Sequence, residues 1–335
     1  MTDRIAVILL NLGGPDSLDA VEPFLYNLFS DPDIIDFPGS FLFRKRLAKL
    51  ISTRRAPMVQ KQYAKIGGKS PIKDFTLRQA ELLEARLNER LPAKVLVAMR
   101  YWNPSTDHAI DAVISEGIEK VVLLPLYPQF SKATTVSSTK EWEKRTRERG
   151  LADSLDVTRV DHYHTDDKYV QAIVERINEG LARFQPEIRG QVQIVFSAHG
   201  TPMKLVRQGD PYSDHIKATV AAVMEQGEYS QPHTLCYQSK VGPLKWLEPS
   251  TPDTVQRLAA EGVRHMLIVP IAFTSDHLET LFELNIEYRR VAKEAGVEQY
   301  EVTEGLNDSP TFIEAMAELV FEKLGIASEA KRVTA

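Results

Sequence analysis

A single cysteine, Cys236, stands in 335 residues. It excludes an internal disulfide framework and any all-cysteine iron–sulfur site within one chain, and it fits a reducing compartment. Long apolar runs are missing too: no segment reaches the roughly 18 uninterrupted residues a membrane span needs. The start, Met1-Thr2-Asp3-Arg4 and then six apolar residues, is too short for a secretion signal and reads directly as a first strand. A cytoplasmic location is the resulting expectation. Positive charge is not in excess, and a net charge of -5 argues against a general nucleic-acid binder. Phosphate loops are lacking as well. Gly13-Gly14-Pro15 has no G-x-G-x-x-G spacing, and Gly67-Gly68-Lys69-Ser70 neither carries the upstream glycine of a P-loop nor directly follows a strand. These glycines read as close backbone approach to a flat ligand or as plain turn chemistry, and no nucleotide is implied.

What is present is a soluble globular composition, 43% hydrophobic and 26% charged, at a length that suits two domains. Apolar, β-rich runs fall at 5–12, 95–100, 121–126, 154–160, 192–197, 234–238, 265–273 and 297–302. Helical patterns lie between them, at 74–91, 107–116, 166–184, 214–225, 251–260 and 311–324. Near-continuous apolar strands alternating with helices predict buried parallel sheets covered on both faces. The halves echo one another: Ile8 to Pro15 resembles Ile194 to Pro202, Val97 to Tyr101 resembles Leu235 to Ser239, and Val122 to Tyr127 resembles Ile268 to Phe273. The expected fold is α/β, with two similar Rossmann-like lobes, each a parallel four-stranded sheet flanked by helices. The lobes are placed at 1–162 and 163–326, the last helix packing back on the first lobe, with a flexible tail at 327–335. Ligands of open α/β sheets sit at the carboxyl ends of strands, which predicts a cleft between the lobes. Arg100, Tyr101, Tyr127, Ser131, His199, Asp276, His277 and Glu279 are expected around that one cavity.

Glu279, Glu283 and Glu287 follow an apolar run at four-residue spacing. On an α-helix they share one face, each a turn from the next. Such a line is either a solvated face whose first member complements the helix dipole or a conduit for cations or protons. Ser197-Ala198-His199-Gly200-Thr201-Pro202 puts a histidine on the turn after a buried strand, to bond a loop carbonyl or to act as ligand or base. Imidazole with carboxylate makes an open N/O metal site without the four-ligand closure of structural zinc. Asp276 reads as a helix N-cap, and His277 faces either cavity or core. His162 and His164 flank Tyr163 as a chelating pair or as solvated loop residues. Residues 37–58 interleave Phe37, Phe41, Leu42, Phe43, Leu47 and Leu50 with Arg44, Lys45, Arg46, Lys49, Arg54 and Arg55. Three readings stand for them: a contact on an anionic membrane, a greasy lip that admits an apolar ligand, or an ordinary surface helix.

Taken together the chain resembles the ferrochelatases, the enzymes that insert ferrous iron into porphyrin. The resemblance spans nearly the whole chain, through Asn11-Leu12-Gly13-Gly14-Pro15, Gly67-Gly68-Lys69-Ser70-Pro71-Ile72, Met99-Arg100-Tyr101, Leu126-Tyr127-Pro128-Gln129-Phe130-Ser131, Phe196-Ser197-Ala198-His199-Gly200, Gly209-Asp210-Pro211-Tyr212, Tyr237-Gln238-Ser239-Lys240-Val241-Gly242-Pro243 and Phe273-Thr274-Ser275-Asp276-His277-Leu278-Glu279-Thr280. It implies the chelatase fold, with porphyrin between two α/β lobes. It also implies His199 and Glu279 as the catalytic, metal-facing pair, Glu283 and Glu287 as an acidic path leading away, and Asp276 and His277 as its supports. Leu12, Tyr63, Ser70, Arg100, Tyr101, Tyr127 and Ser131 become the expected porphyrin-binding set. The substrates implied are ferrous iron and protoporphyrin IX, converted to protohaem with release of two protons in the last step of haem synthesis. No permanently bound cofactor is expected. The four-cysteine cluster of some relatives is excluded here, since only Cys236 is present. Peripheral contact with the inner membrane through 37–58 is a further expectation. The rivals are a chelatase of coproporphyrin or another tetrapyrrole, and a two-lobed haem- or metal-binding protein without turnover.

Overall fold

The computed structural model describes residues 4–32, 40–240 and 244–327. Residues 37–39 of the expected lip, the side chains of Phe41 and Leu42, Val241-Gly242-Pro243 of one motif and the tail from 328 lie outside the described residues. The chain divides into two compact units. One comprises residues 1–127, 131–162 and 312–335, the other 128–130 and 163–311.

In the first unit, β1 (Ile5–Asn11), β2 (Ala93–Met99), β3 (Lys120–Pro125) and β4 (Asp156–Arg159) form a parallel sheet in the order β2-β1-β3-β4. The helices of this unit are α1 (Val21–Ser30), α2 (Ser40–Ala64), α3 (Ile72–Asn88), α4 (Thr106–Ser115), α5 (Ser137–Glu148) and, far along the chain, α11 (Pro310–Lys323). Every residue of β1 is buried. That is why its sequence is a continuous apolar run rather than an alternation: a central parallel strand is covered on both faces. Ser105 caps α4, its Oγ accepting from the His108 amide. α11 is fixed by Arg86, whose guanidinium donates twice to Glu314, and by Arg90 stacked over Phe321.

The second unit repeats the plan. Its strands are β5 (Gln193–His199), β6 (His233–Gln238), β7 (His265–Val269) and β8 (Gln299–Val302), all parallel, in the order β6-β5-β7-β8. Around them lie α6 (Asp167–Leu181), α7 (Met203–Arg207), α8 (Tyr212–Gln226), α9 (Thr251–Ala260) and α10 (Tyr288–Glu294). Asp166 and Ser250 cap α6 and α9 through their side chains. Cys236 is buried in the sheet core with Val195, Met266 and Ile268, and burial pushes its thiol up to about 11, as an inert packing residue.

α2 docks by small residues over its first half and by larger ones toward its end. Ala48, Ser52, Ala56, Val59 and Tyr63, at steps of three and four, are its buried stripe. Lys49 and Thr53 hold Glu22 of α1, while Arg55 lies over Phe29. Three other large apolar side chains point elsewhere: Phe43, Leu50 and Met58 remain 58%, 48% and 51% exposed.

Candidate active site

His199 is the last residue of β5, at the carboxyl end of the central strand of its sheet. Gly200 follows because a Cβ there would come within 2.9 Å of the Gln238 carbonyl, which accepts the Gly200 amide. The Tyr212 hydroxyl donates to the His199 carbonyl at 3.0 Å, and Trp246 and Phe273 stand edge-on to the imidazole. Nδ1 of His199 lies 2.9 Å from Oε2 of Glu279. Their side chains are 39% and 29% exposed, so the pair has an open edge.

Glu279 opens a helix of unexpected form. Residues Glu279–Glu287 are a π-helix, not the α-helix that the four-residue spacing suggested. Hydrogen bonds from i to i+5 widen each turn, so four residues fall short of a turn where in an α-helix they overshoot one. The glutamates still follow one another, with the opposite drift. Glu283 is held on both oxygens: Oε2 accepts from Ser239 Oγ at 2.5 Å and Gln238 Nε2 at 3.2 Å, and Oε1 from the Tyr288 hydroxyl at 3.2 Å. Ser239 reaches it from a left-handed backbone, φ 64°.

Burial and paired charges separate the ionisations. Burial disfavours both charged partners, yet the imidazole and the carboxylate support each other more strongly. His199 is raised above its ordinary value, and Glu279, with His277 also beside it, is held well below the carboxylate range. Burial and the neighbouring Glu279 charge push Glu283 up to about 7.

Asp276 does not cap the helix, whose first turn follows Leu278 without a side-chain cap. Its Oδ1 accepts from Thr280 Oγ1 at 2.8 Å, and its Oδ2 from Asn307 Nδ2 at 2.8 Å and the Gly305 amide at 3.2 Å. His277 bonds the Ser275 carbonyl through Nδ1 at 3.1 Å and sets Nε2 3.7 Å from Glu279. Glu287 closes the π-helix, partly buried. His164, read as one of a chelating pair with His162 or as a solvated loop residue, stacks face to face on His215, ring centroids 3.7 Å apart.

The remaining expected residues lie in the first unit. Arg100 donates from Nη2 to Asp31 Oδ2 at 2.6 Å and from Nε to Ser137 Oγ at 3.0 Å; the Tyr101 hydroxyl donates to the same Asp31 oxygen at 2.7 Å. Burial raises the Tyr101 phenol, and Asp31 raises it further. Tyr63, Ser70 and Ser131 are buried, whereas Leu12 and Tyr127 are partly open. Ser131 caps a second, shorter π-helix, Lys132–Val136, by accepting from the Ala133 amide. The glycine turn serves the fold: Gly13 has φ 87°, and a Cβ on Gly14 would stand 2.6 Å from Ser70. Its close approach is to a serine of the same unit. Sequence reasoning did not single out Asp31, Ser137, Tyr288, Gly305 or Asn307. Nothing in a lone Asp or Asn signals a partner 31 or 70 residues away.

The family model for ferrochelatase matches residues 4–324. The ferrochelatase of Geotalea daltonii is 46% identical over 320 residues, covering 96% of this chain and 98% of its own. The chain belongs to the ferrochelatase family. It therefore belongs with enzymes of metal insertion into porphyrin. The ferrochelatase of Aquifex aeolicus is likewise 46% identical, over 94% of this chain and 97% of its own. Among solved structures, SirB from Bacillus subtilis with Fe3+ superposes with a TM-score of 0.56 at 12% identity, covering 96% of this chain and 95% of that one. At that identity the likeness concerns the fold alone, and it is the chelatase α/β fold.

Proposed function

We propose that this ferrochelatase-family chain inserts ferrous iron into protoporphyrin IX in the last step of haem synthesis, with His199 and Glu279 as the reacting pair. The 2.9 Å contact between His199 Nδ1 and Glu279 Oε2 carries the reading. An ionised Glu279 accepts a hydrogen bond, so the proton of neutral His199 sits on Nδ1 and the Nε2 lone pair is free to take a pyrrole proton. The imidazolium formed then has its counter-ion in place. Metallation releases two protons for each iron that enters the ring. Glu283, poised at about 7, is suited to relay them, because a carboxyl titrating near neutrality both accepts and releases. Glu287 is the outer step of that acidic path.

Leu12, Tyr63, Ser70, Arg100, Tyr101, Tyr127 and Ser131 are proposed to line or support the porphyrin site. The uncovered Phe43, Leu50 and Met58, beside the basic residues of α2, support a lip that meets an apolar porphyrin or a membrane surface. No helix among the described residues is long and apolar enough to cross a membrane. The test is anaerobic incubation with ferrous iron and protoporphyrin IX, following the loss of porphyrin fluorescence, with coproporphyrin in a parallel arm. Faster turnover of coproporphyrin would replace protoporphyrin as the substrate. Tight binding of either ring without turnover would favour a carrier instead.

A further inference from the structure

We infer that Asn307, in the loop after β8, is a positioning residue for the turn that carries His277 and Glu279; the inference rests on the catalytic reading of that turn. The loop 303–309 contains no group of the reacting pair, yet it grips the turn from several directions. Asn307 accepts the Asp276 amide on Oδ1 at 2.9 Å and donates from Nδ2 to Asp276 Oδ2 at 2.8 Å, while its own amide donates to the Thr274 carbonyl at 3.0 Å. One carboxamide therefore holds both the main chain and the side chain of Asp276, in a two-point contact that fixes orientation as well as distance.

Such a grip needs a particular backbone. Asn307 has φ 48°, in the left-handed region that asparagine tolerates better than most residues. Gly305 is constrained for another reason: a Cβ there would stand 2.8 Å from the Asp276 nitrogen and 2.9 Å from the Ser275 carbonyl carbon. Both residues are spent on bringing this loop against the 274–277 turn.

The chain of contacts continues toward the site. Asp276 Oδ1 accepts from Thr280 Oγ1 at 2.8 Å, and Thr280 Oγ1 in turn accepts from the His277 amide at 3.1 Å. His277 Nε2 stands 3.7 Å from Glu279, the partner of His199. Asp276, Thr280 and Asn307 are each buried, 6%, 1% and 5% exposed, so water does not replace a lost partner. Asp276, expected on the proton or metal path, is in this view the anchor through which Asn307 acts.

The test breaks the grip from the side of Asn307. Asn307→Asp puts a carboxylate where Nδ2 donates to Asp276 Oδ2, and should lower kcat for metal insertion about 30- to 100-fold with the porphyrin KM nearly unchanged, since small displacements of reacting groups cost about that much. Asp276→Asn keeps an oxygen that accepts from both Asn307 Nδ2 and the Gly305 amide, and should lose less. An Asn307→Asp variant with unchanged kcat overturns the inference. Asn307→Gly keeps the left-handed backbone and removes the carboxamide. If it lowers the melting temperature but leaves kcat intact, Asn307 is only structural and the inference falls. In 15N-labelled protein the amide signals of His277 and Glu279 should move in Asn307→Gly; unmoved signals overturn the positioning without any reference to turnover. Wild-type protein that fails to metallate porphyrin overturns the proposed function instead, and the amide signals still decide the coupling.

Discussion

Two π-helices stand at the same place in the two units, one in the segment after β3 and one in the segment after β7, and they carry opposite chemistry. Lys132–Val136 is short, capped by Ser131 and free of acid; Glu279–Glu287 carries three glutamates. The ends of the two central strands differ in the same sense. Asn11 at the end of β1 makes neutral bonds to Thr76 and the Leu12 amide, where His199 at the end of β5 meets a carboxylate. The first unit does hold a strong charge pair, Arg100 with Asp31, but Asp31 is 2% exposed at its side chain and shared by Tyr101 and Ser137. A repeated scaffold thus supplies two wide turns. One carries no acid, and the other carries the three glutamates proposed for proton transfer.

Breaking the reactive pair should have the largest effect. His199→Ala should lower metal insertion by about 10³-fold or more while porphyrin binding persists, and Glu279→Gln by about 10²-fold, within the range of general acid–base contributions. Steady-state rates with fluorescence titration of porphyrin measure both. A fully active His199→Ala variant would remove His199 from the mechanism. Neither change should cost much stability, because the pair is partly open to solvent. The first unit should behave the other way round. Asp31→Ala removes the nearest counter-charge of the poorly solvated Arg100 guanidinium, leaving it Ser137 and the more distant Glu141 at 3.8 Å, at a cost of about 3 kcal/mol in urea unfolding. A loss below about 1 kcal/mol would mean that Asp31 is not the structural charge it is taken for here.

Glu283 sharpens the contrast through pH. Its folded value, about 7, lies above the ordinary 4.5, so between these values the folded chain binds more protons than the unfolded one. Stability from this group is then fully present below about pH 4.5 and is lost as pH rises through 7. Glu283→Gln, neutral throughout, should flatten that slope, and its melting temperature relative to wild type should rise by a few degrees between pH 5 and pH 8. A difference that is constant with pH, or one of opposite sign, would contradict the raised value.

Much of this was readable in the residues. The eight strands of the described residues were expected close to where they occur, the inner ones because buried parallel strands are continuous apolar runs bounded by turns; β4, at a sheet edge, is mostly exposed. The His199 and Glu279 segments stood out since each puts a chemically costly group at a strand or helix end. The helix type did not, because the spacing of the glutamates satisfies a π-helix nearly as well as an α-helix, and hydrogen-bond pattern alone distinguishes them. Asp31 and Asn307 were also illegible: their importance lies in partners brought near by folding. Ser239 gave no sign of the left-handed backbone that puts its hydroxyl on Glu283.

The smallest effect belongs to α2, where one helix contains the same contrast in miniature. The first half of its buried stripe is built of small residues, so Ala48, fully buried, has no room for a larger side chain; Ala48→Leu should cost about 1–3 kcal/mol by overpacking. Leu50, 48% exposed, is held by no such constraint, and Leu50→Ser should change urea stability by no more than about 0.5 kcal/mol. An apolar side chain kept in water without a packing role is explained if its partner is a porphyrin or a membrane. Leu50→Ser, alone or with Phe43→Ser, should then weaken sedimentation with anionic phospholipid vesicles or raise the KM for protoporphyrin, with kcat unchanged. Loss of stability on Leu50→Ser comparable to that of Ala48→Leu would place Leu50 in the core instead; unchanged vesicle binding and KM would leave the lip without a role.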